Sequence, residues 1–124
     1  MTFPPSAALR LALCAGLLLP AGTRALAHAK LVSAEPPADA VAKVAPQNLD
    51  LLFNEKISEK LSGATIKDAA GAAVPASLML EKAGKGLMVM MPRPLKPGVY
   101  TVTWHAVASD DGHRTEGAYT FTVN

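Results

Sequence analysis

Two short segments, far apart in the chain, carry residue types that bind metal ions. Ala25-Leu26-Ala27 closes an N-terminal apolar segment in the small-x-small pattern that signal peptidase cuts, and His28 follows it. Cleavage there would place a free α-amine and an imidazole on one residue. Those two nitrogens close a six-membered chelate ring, which an internal histidine cannot form. Far downstream, Asp111-Gly112-His113 sets a carboxylate and a second imidazole two residues apart. Two imidazoles, an amine and a carboxylate make a nitrogen-rich donor set suited to Cu(II). Taken singly, each segment is ordinary: a histidine at a surface terminus, and an Asp-Gly pair in a turn. The weight rests on their combination.

The elements that must bring them together begin with the leader. Arg10 precedes the apolar run Leu11 to Pro20, which is too short to span a bilayer as a helix, and Arg24 interrupts the stretch before the cleavage site. This pattern predicts a signal peptide over residues 1–27, a periplasmic destination and a mature domain over 28–124. Leu13 precedes Cys14 where a lipidation motif has a small residue, so a lipid anchor is not expected. Removing 27 residues from 124 leaves 97, the size of one domain. The 12 basic residues of the whole chain fall to 10 with the loss of Arg10 and Arg24, against 10 acidic ones. A near-neutral domain without a basic patch argues against nucleic acid as a partner. The single cysteine also leaves with the leader, so the domain is expected to have no disulfide and no thiolate for a metal; a monomer is expected.

Short β-like runs alternate with proline and glycine along the rest of the chain. Leu49, Leu51 and Phe53 share one face at period two, as do Tyr100, Val102, Trp104 and Ala106, and again Tyr119, Phe121 and Val123. Ser77 to Leu80 and Leu87 to Met91 flank Gly84-Lys85-Gly86 as a hairpin, and Glu55 to Ser62 suits one loose helical turn. About seven short strands predict an all-β, immunoglobulin-like Greek-key sandwich. Trp104 falls on the core face, and His105 points the other way. Met88 and Met90 share a face, and core packing is the expectation for the methionines of these strands.

Several segments, in order, resemble the CopC/PcoC/YobA family of periplasmic copper-binding proteins. They are His28-Ala29-Lys30-Leu31-Val32-Ser33-Ala34-Glu35-Pro36, Leu51-Leu52-Phe53-Asn54-Glu55, Leu95 to Trp104, and Ser109-Asp110-Asp111-Gly112-His113 with Gly117 and Phe121 beyond. The resemblance implies a sandwich with one Cu(II) site at one end, held by His28, Asp111 and His113, with Glu55 beside the metal as a weak ligand or neighbour. It also implies copper buffering, trafficking or resistance rather than catalysis, and a CopD-like inner-membrane copper protein as partner. Some members carry a methionine-rich loop with a histidine that holds Cu(I) at the opposite end. Ile66 to Ser77 contains neither residue type, which implies a Cu(II)-only member. Two alternatives stay open: a histidine-brace copper monooxygenase, and a metal-free structural sandwich.

Overall fold

The computed structural model describes residues 28–124; the predicted leader lies outside them. Nine strands form two sheets. They are β1 (Leu31–Glu35), β2 (Val41–Ala42), β3 (Asn48–Phe53), β4 (Gly63–Lys67), β5 (Ala73–Val74), β6 (Ser77–Glu81), β7 (Gly86–Met90), β8 (Gly98–Val107) and β9 (Arg114–Val123). One sheet has the order β1-β3-β7-β6 and the other β2-β9-β8-β4-β5. All pairs are antiparallel except β2 with β9. Among the described residues, no helix is long and apolar enough to cross a membrane.

The period-two reading places the core correctly. Leu49, Leu51 and Phe53 of β3 are buried, as are Tyr100, Val102, Trp104 and Ala106 of β8. Two apolar clusters fill the space between the sheets. One contains Leu49, Val89, Met91, Leu95, Tyr100 and Phe121. The other gathers Ala29, Phe53, Ile57, Trp104 and Ala108 beneath the opposite end. There the Trp104 ring meets Phe53 edge-on, with centroids 5.3 Å apart. This arrangement depends on Gly117 of the neighbouring strand, where a Cβ would stand 2.7 Å from Trp104 Cζ2.

Three features differ from the sequence reading. The first is the two-residue strands β2 and β5, which are too short to show any period and exist through pairing with β9 and β4. The second is β9, which starts at Arg114 rather than near Ala118 because the long β8 offers partners as far as Val107. The third concerns methionine. Met88 and Met90 do share a face, but it is the outer one: Leu87 and Val89 take the core side of β7. Both alternating sets are apolar, so periodicity could not choose between them. The stiffer branched chains went inside, and the flexible thioethers lie half-buried outside. Met79 is 44% exposed, and only Met91 of the four is in the core.

Candidate metal centre

His28 leads directly into the sandwich. Ala29 is fully buried in the cluster with Phe53 and Trp104, so the residue after His28 is an apolar plug. The Ala29 carbonyl accepts a hydrogen bond from the Thr115 hydroxyl of β9 at 2.6 Å. The Lys30 amide donates to Asn54 Oδ1 at 2.7 Å, and the Asn54 amide returns a bond to the Lys30 carbonyl at 3.0 Å. A segment held from both sheets presents the His28 side chain just before it at a defined place.

The second segment is fixed by turn chemistry. Gly112 has φ of +71°, a left-handed conformation that glycine adopts without penalty. Its amide donates to the Ala108 carbonyl at 3.0 Å, and the Ala108 amide donates to the His113 carbonyl at 3.0 Å. Asp111 Oδ1 accepts from the His113 amide at 2.9 Å, closing an Asx turn. Asp111 Oδ2 then stands 3.5 Å from His113 Nδ1. That nitrogen is buried and lacks a hydrogen-bond partner.

The fold joins these two segments. The rings of His28 and His113 lie 5.1 Å apart between centroids, with their planes inclined at 30°. The loop after β3 belongs to the same end. Its Asn54 holds Lys30, the Lys56 carbonyl accepts from the Ser109 amide at 3.0 Å, and Ile57 bridges to Ala108. Glu55 sits between those anchors, and its Oε1 is buried without a hydrogen-bond partner. A carboxylate oxygen withdrawn from water and left unpaired suits a neighbouring cation.

His28, Asp111 and His113 are thus brought to one end, with Glu55 on an adjoining loop. Among the described residues, three or more acidic, histidine or cysteine side chains do not already converge as a formed metal cage. With Ala27 before it, the His28 backbone nitrogen belongs to a peptide bond and is not a free amine donor. His105 lies on the outer face of the five-stranded sheet, paired with Gly63 and Glu116. A groove of about 520 Å³ lined by Pro75, Pro94, Arg93 and Tyr100 contains none of the four predicted residues.

Sequence reasoning missed the residues that do the positioning. Thr115, Asn54 and Ser62 each bond the backbone of a segment remote in sequence, Ser62 Oγ accepting from the Val107 amide at 3.0 Å. Only Asn54 carried a signal, lying within the Phe53-Asn54-Glu55 motif.

The two sheets and their antiparallel pairing place the chain in the class of small β-sandwich proteins, with an N-proximal histidine set beside an Asp-Gly-His turn at one end. Comparison makes the assignment specific: the CopC domain model matches residues 31–124, and the chain belongs to that family. It is 44% identical over 100 residues to protein YobA of Escherichia coli K12, covering 78% of this chain and 79% of that protein. It is 37% identical over 119 residues to copper resistance protein C of Escherichia coli, covering 90% and 93% of the two chains. Among solved structures, PcoC, a methionine-rich copper resistance protein from Escherichia coli, superposes with a TM-score of 0.72 at 35% identity, covering 79% of this chain and 100% of that one. CopC from Methylosinus trichosporium OB3b gives the same TM-score at 31% identity, covering 78% and 94%.

Proposed function

We propose that the processed protein binds one Cu(II) ion in the periplasm and serves copper buffering, delivery or resistance without catalysing a reaction. The observation that carries this reading is the approach of His28 and His113, two imidazoles from opposite ends of the sequence held 5.1 Å apart. Cleavage before His28 would add the α-amine, and Asp111 would complete the set. Amine and imidazole donors favour Cu(II), which binds more tightly than the other divalent ions of its row. The unpaired Glu55 oxygen would face the cation from the side as a weak ligand or a charge partner. Relatives named for copper resistance support the same cargo. A CopD-like membrane protein would be the donor or recipient, with the sandwich itself a monomer.

Electron paramagnetic resonance of the Cu(II)-loaded, processed protein tests the ligand set directly. The expected spectrum shows nitrogen hyperfine coupling that diminishes in His113→Ala. Inserting one residue before His28 retains both imidazoles but removes the terminal amine, and affinity should fall at least tenfold, about 1.4 kcal/mol. Equal affinity in the extended protein would exclude the terminus as a ligand. Oxidation of a polysaccharide in the presence of peroxide would refute the non-catalytic reading.

A further inference from the structure

Four of the five methionines fall between Met79 and Met91, on the β6–β7 hairpin and the residue after it. Met91 is a core residue. The other three share the outer face of the four-stranded sheet, and the strand register fixes their mutual placement. Met79 of β6 is directly opposite Met88 of β7. Met90 follows two residues along β7, opposite Ser77 on one side and Asn48 on the other. Directly paired side chains have Cβ atoms about 4.5–5.5 Å apart, and diagonal neighbours stand about 7–8 Å apart. Three rotatable bonds let each thioether sulfur swing toward a common point above Met88.

The surroundings are anionic. One transverse row of this face reads Glu35, Asp50, Met88, Met79 across β1, β3, β7 and β6. Glu81 adds a further carboxyl. It folds across Gly86, where a Cβ would stand 3.1 Å from Glu81 Cγ, and hydrogen-bonds with Asp50. Partial burial, that hydrogen bond and the charge of Asp50 together push the Glu81 carboxyl above its usual value, while Lys82 opposes them. Neither sheet geometry nor the core calls for three thioethers here. Packing of an outer face is served by β-branched and aromatic chains, and solubility by charged ones.

We infer that Met79, Met88 and Met90 form a binding site for a soft monovalent cation, Cu(I) or Ag(I), on the outer face of the four-stranded sheet. Thioether sulfur selects such ions over harder ones, and the adjoining carboxylates balance the single positive charge without needing to coordinate. The site lies on strands that contribute none of the nitrogen and carboxylate donors proposed for Cu(II). It therefore stands or falls independently of that reading, and it runs against the Cu(II)-only expectation, which considered only the methionine-free stretch Ile66 to Ser77 and took the strand methionines for core.

The test is competition for Cu(I) against a chromophoric chelator under anaerobic conditions, with Ag(I) as a redox-inert second probe. The full chain carries Cys14→Ser so that its one thiol does not compete. Met→Leu exchange nearly conserves volume, so the triple variant Met79→Leu/Met88→Leu/Met90→Leu should melt normally while its affinity falls at least a hundredfold. His113→Ala should leave Cu(I) affinity unchanged. Retention of either cation by the parent with loss in the triple variant upholds the site, and the tighter of the two names its cargo. In the parent, ¹³C-methyl methionine spectra should shift for Met79, Met88 and Met90 on adding Ag(I) and stay fixed for Met91. Undiminished affinity in the triple variant, absence of binding in the parent, or methyl signals that do not move would overturn the inference.

Discussion

Gly117→Ala is the sharpest test of how the end that carries the proposed Cu(II) site is built. The added Cβ would stand 2.7 Å from Trp104 Cζ2, 2.9 Å from Cε2 and 3.0 Å from Nε1, against the rigid edge of an indole rather than a flexible tip. Trp104 is only 9% exposed and is braced edge-on against Phe53, so the ring cannot retreat without disturbing that pair. Overfilling a packed core costs about 1–3 kcal/mol, and weakening the aromatic contact adds up to about 1 kcal/mol. Replacing a strand glycine by alanine returns about 0.5–1 kcal/mol through the unfolded chain. The net expectation is a loss of about 1–3 kcal/mol, or roughly 5–20 °C in Tm for a domain of this size. Thermal melting reads the loss, and the emission of the chain's single tryptophan reads the ring's displacement. An unchanged Tm together with unchanged emission would refute the claim that Gly117 exists to admit Trp104.

Three further outcomes follow from the same end of the molecule and its core. Thr115→Val strips the hydroxyl that holds the buried Ala29 carbonyl at 2.6 Å, and leaving that carbonyl unpaired should cost about 1–2 kcal/mol. Chemical denaturation should show this loss, and Cu(II) affinity should fall with it, whereas Thr115→Ser should restore both. Burial pushes the Tyr119 hydroxyl up to about 12, and that oxygen has no hydrogen-bond partner. The fold thus favours the neutral phenol: its contribution is complete below the ordinary value of about 10 and is lost as pH rises through about 12. Ultraviolet titration should show one tyrosine ionising only as the protein unfolds, and Tyr119→Phe should blunt the alkaline loss of stability. Finally, protons compete with the metal for imidazole and amine nitrogens, so acidification through roughly pH 6 to 4 should release Cu(II), as followed by paramagnetic resonance.

The strands that build the core were legible in the sequence because their apolar residues alternate with polar ones. In β8, Tyr100, Val102, Trp104 and Ala106 are buried against Thr101, Thr103 and His105 on the far side. The proposed metal site was suggested by residue type alone, since His28 and the Asp-Gly-His turn carry donor groups, and the fold adds that the rings of His28 and His113 lie 5.1 Å apart. Two kinds of feature stayed hidden. One is any face decided by competition between two apolar sets, as in β7, where Leu87 and Val89 displaced Met88 and Met90 from the core. The other is the polar side chain whose partner is a remote backbone group. Thr115 looks like any strand threonine until the fold brings Ala29 beneath it, 86 residues away.

The two proposed metal sites differ in what they demand of the chain, and that difference follows from topology. The nitrogen and carboxylate donors come from segments before β1 and between β8 and β9, with Glu55 after β3, and they meet only when both sheets are packed on the cluster of Ala29, Phe53 and Trp104. Binding there is tied to the global fold, and protons compete with copper for its donors as pH falls. The three thioethers belong to one hairpin, set side by side by the β6–β7 register alone. Thioethers carry no titrating proton, so a soft ion held there has no proton to displace from its ligands. Acid that empties the histidine end should leave the methionine face loaded as long as the hairpin stays paired. A protein with both sites would release copper from one as pH falls while keeping the other, with the oxidation state of the ion deciding which site it occupies.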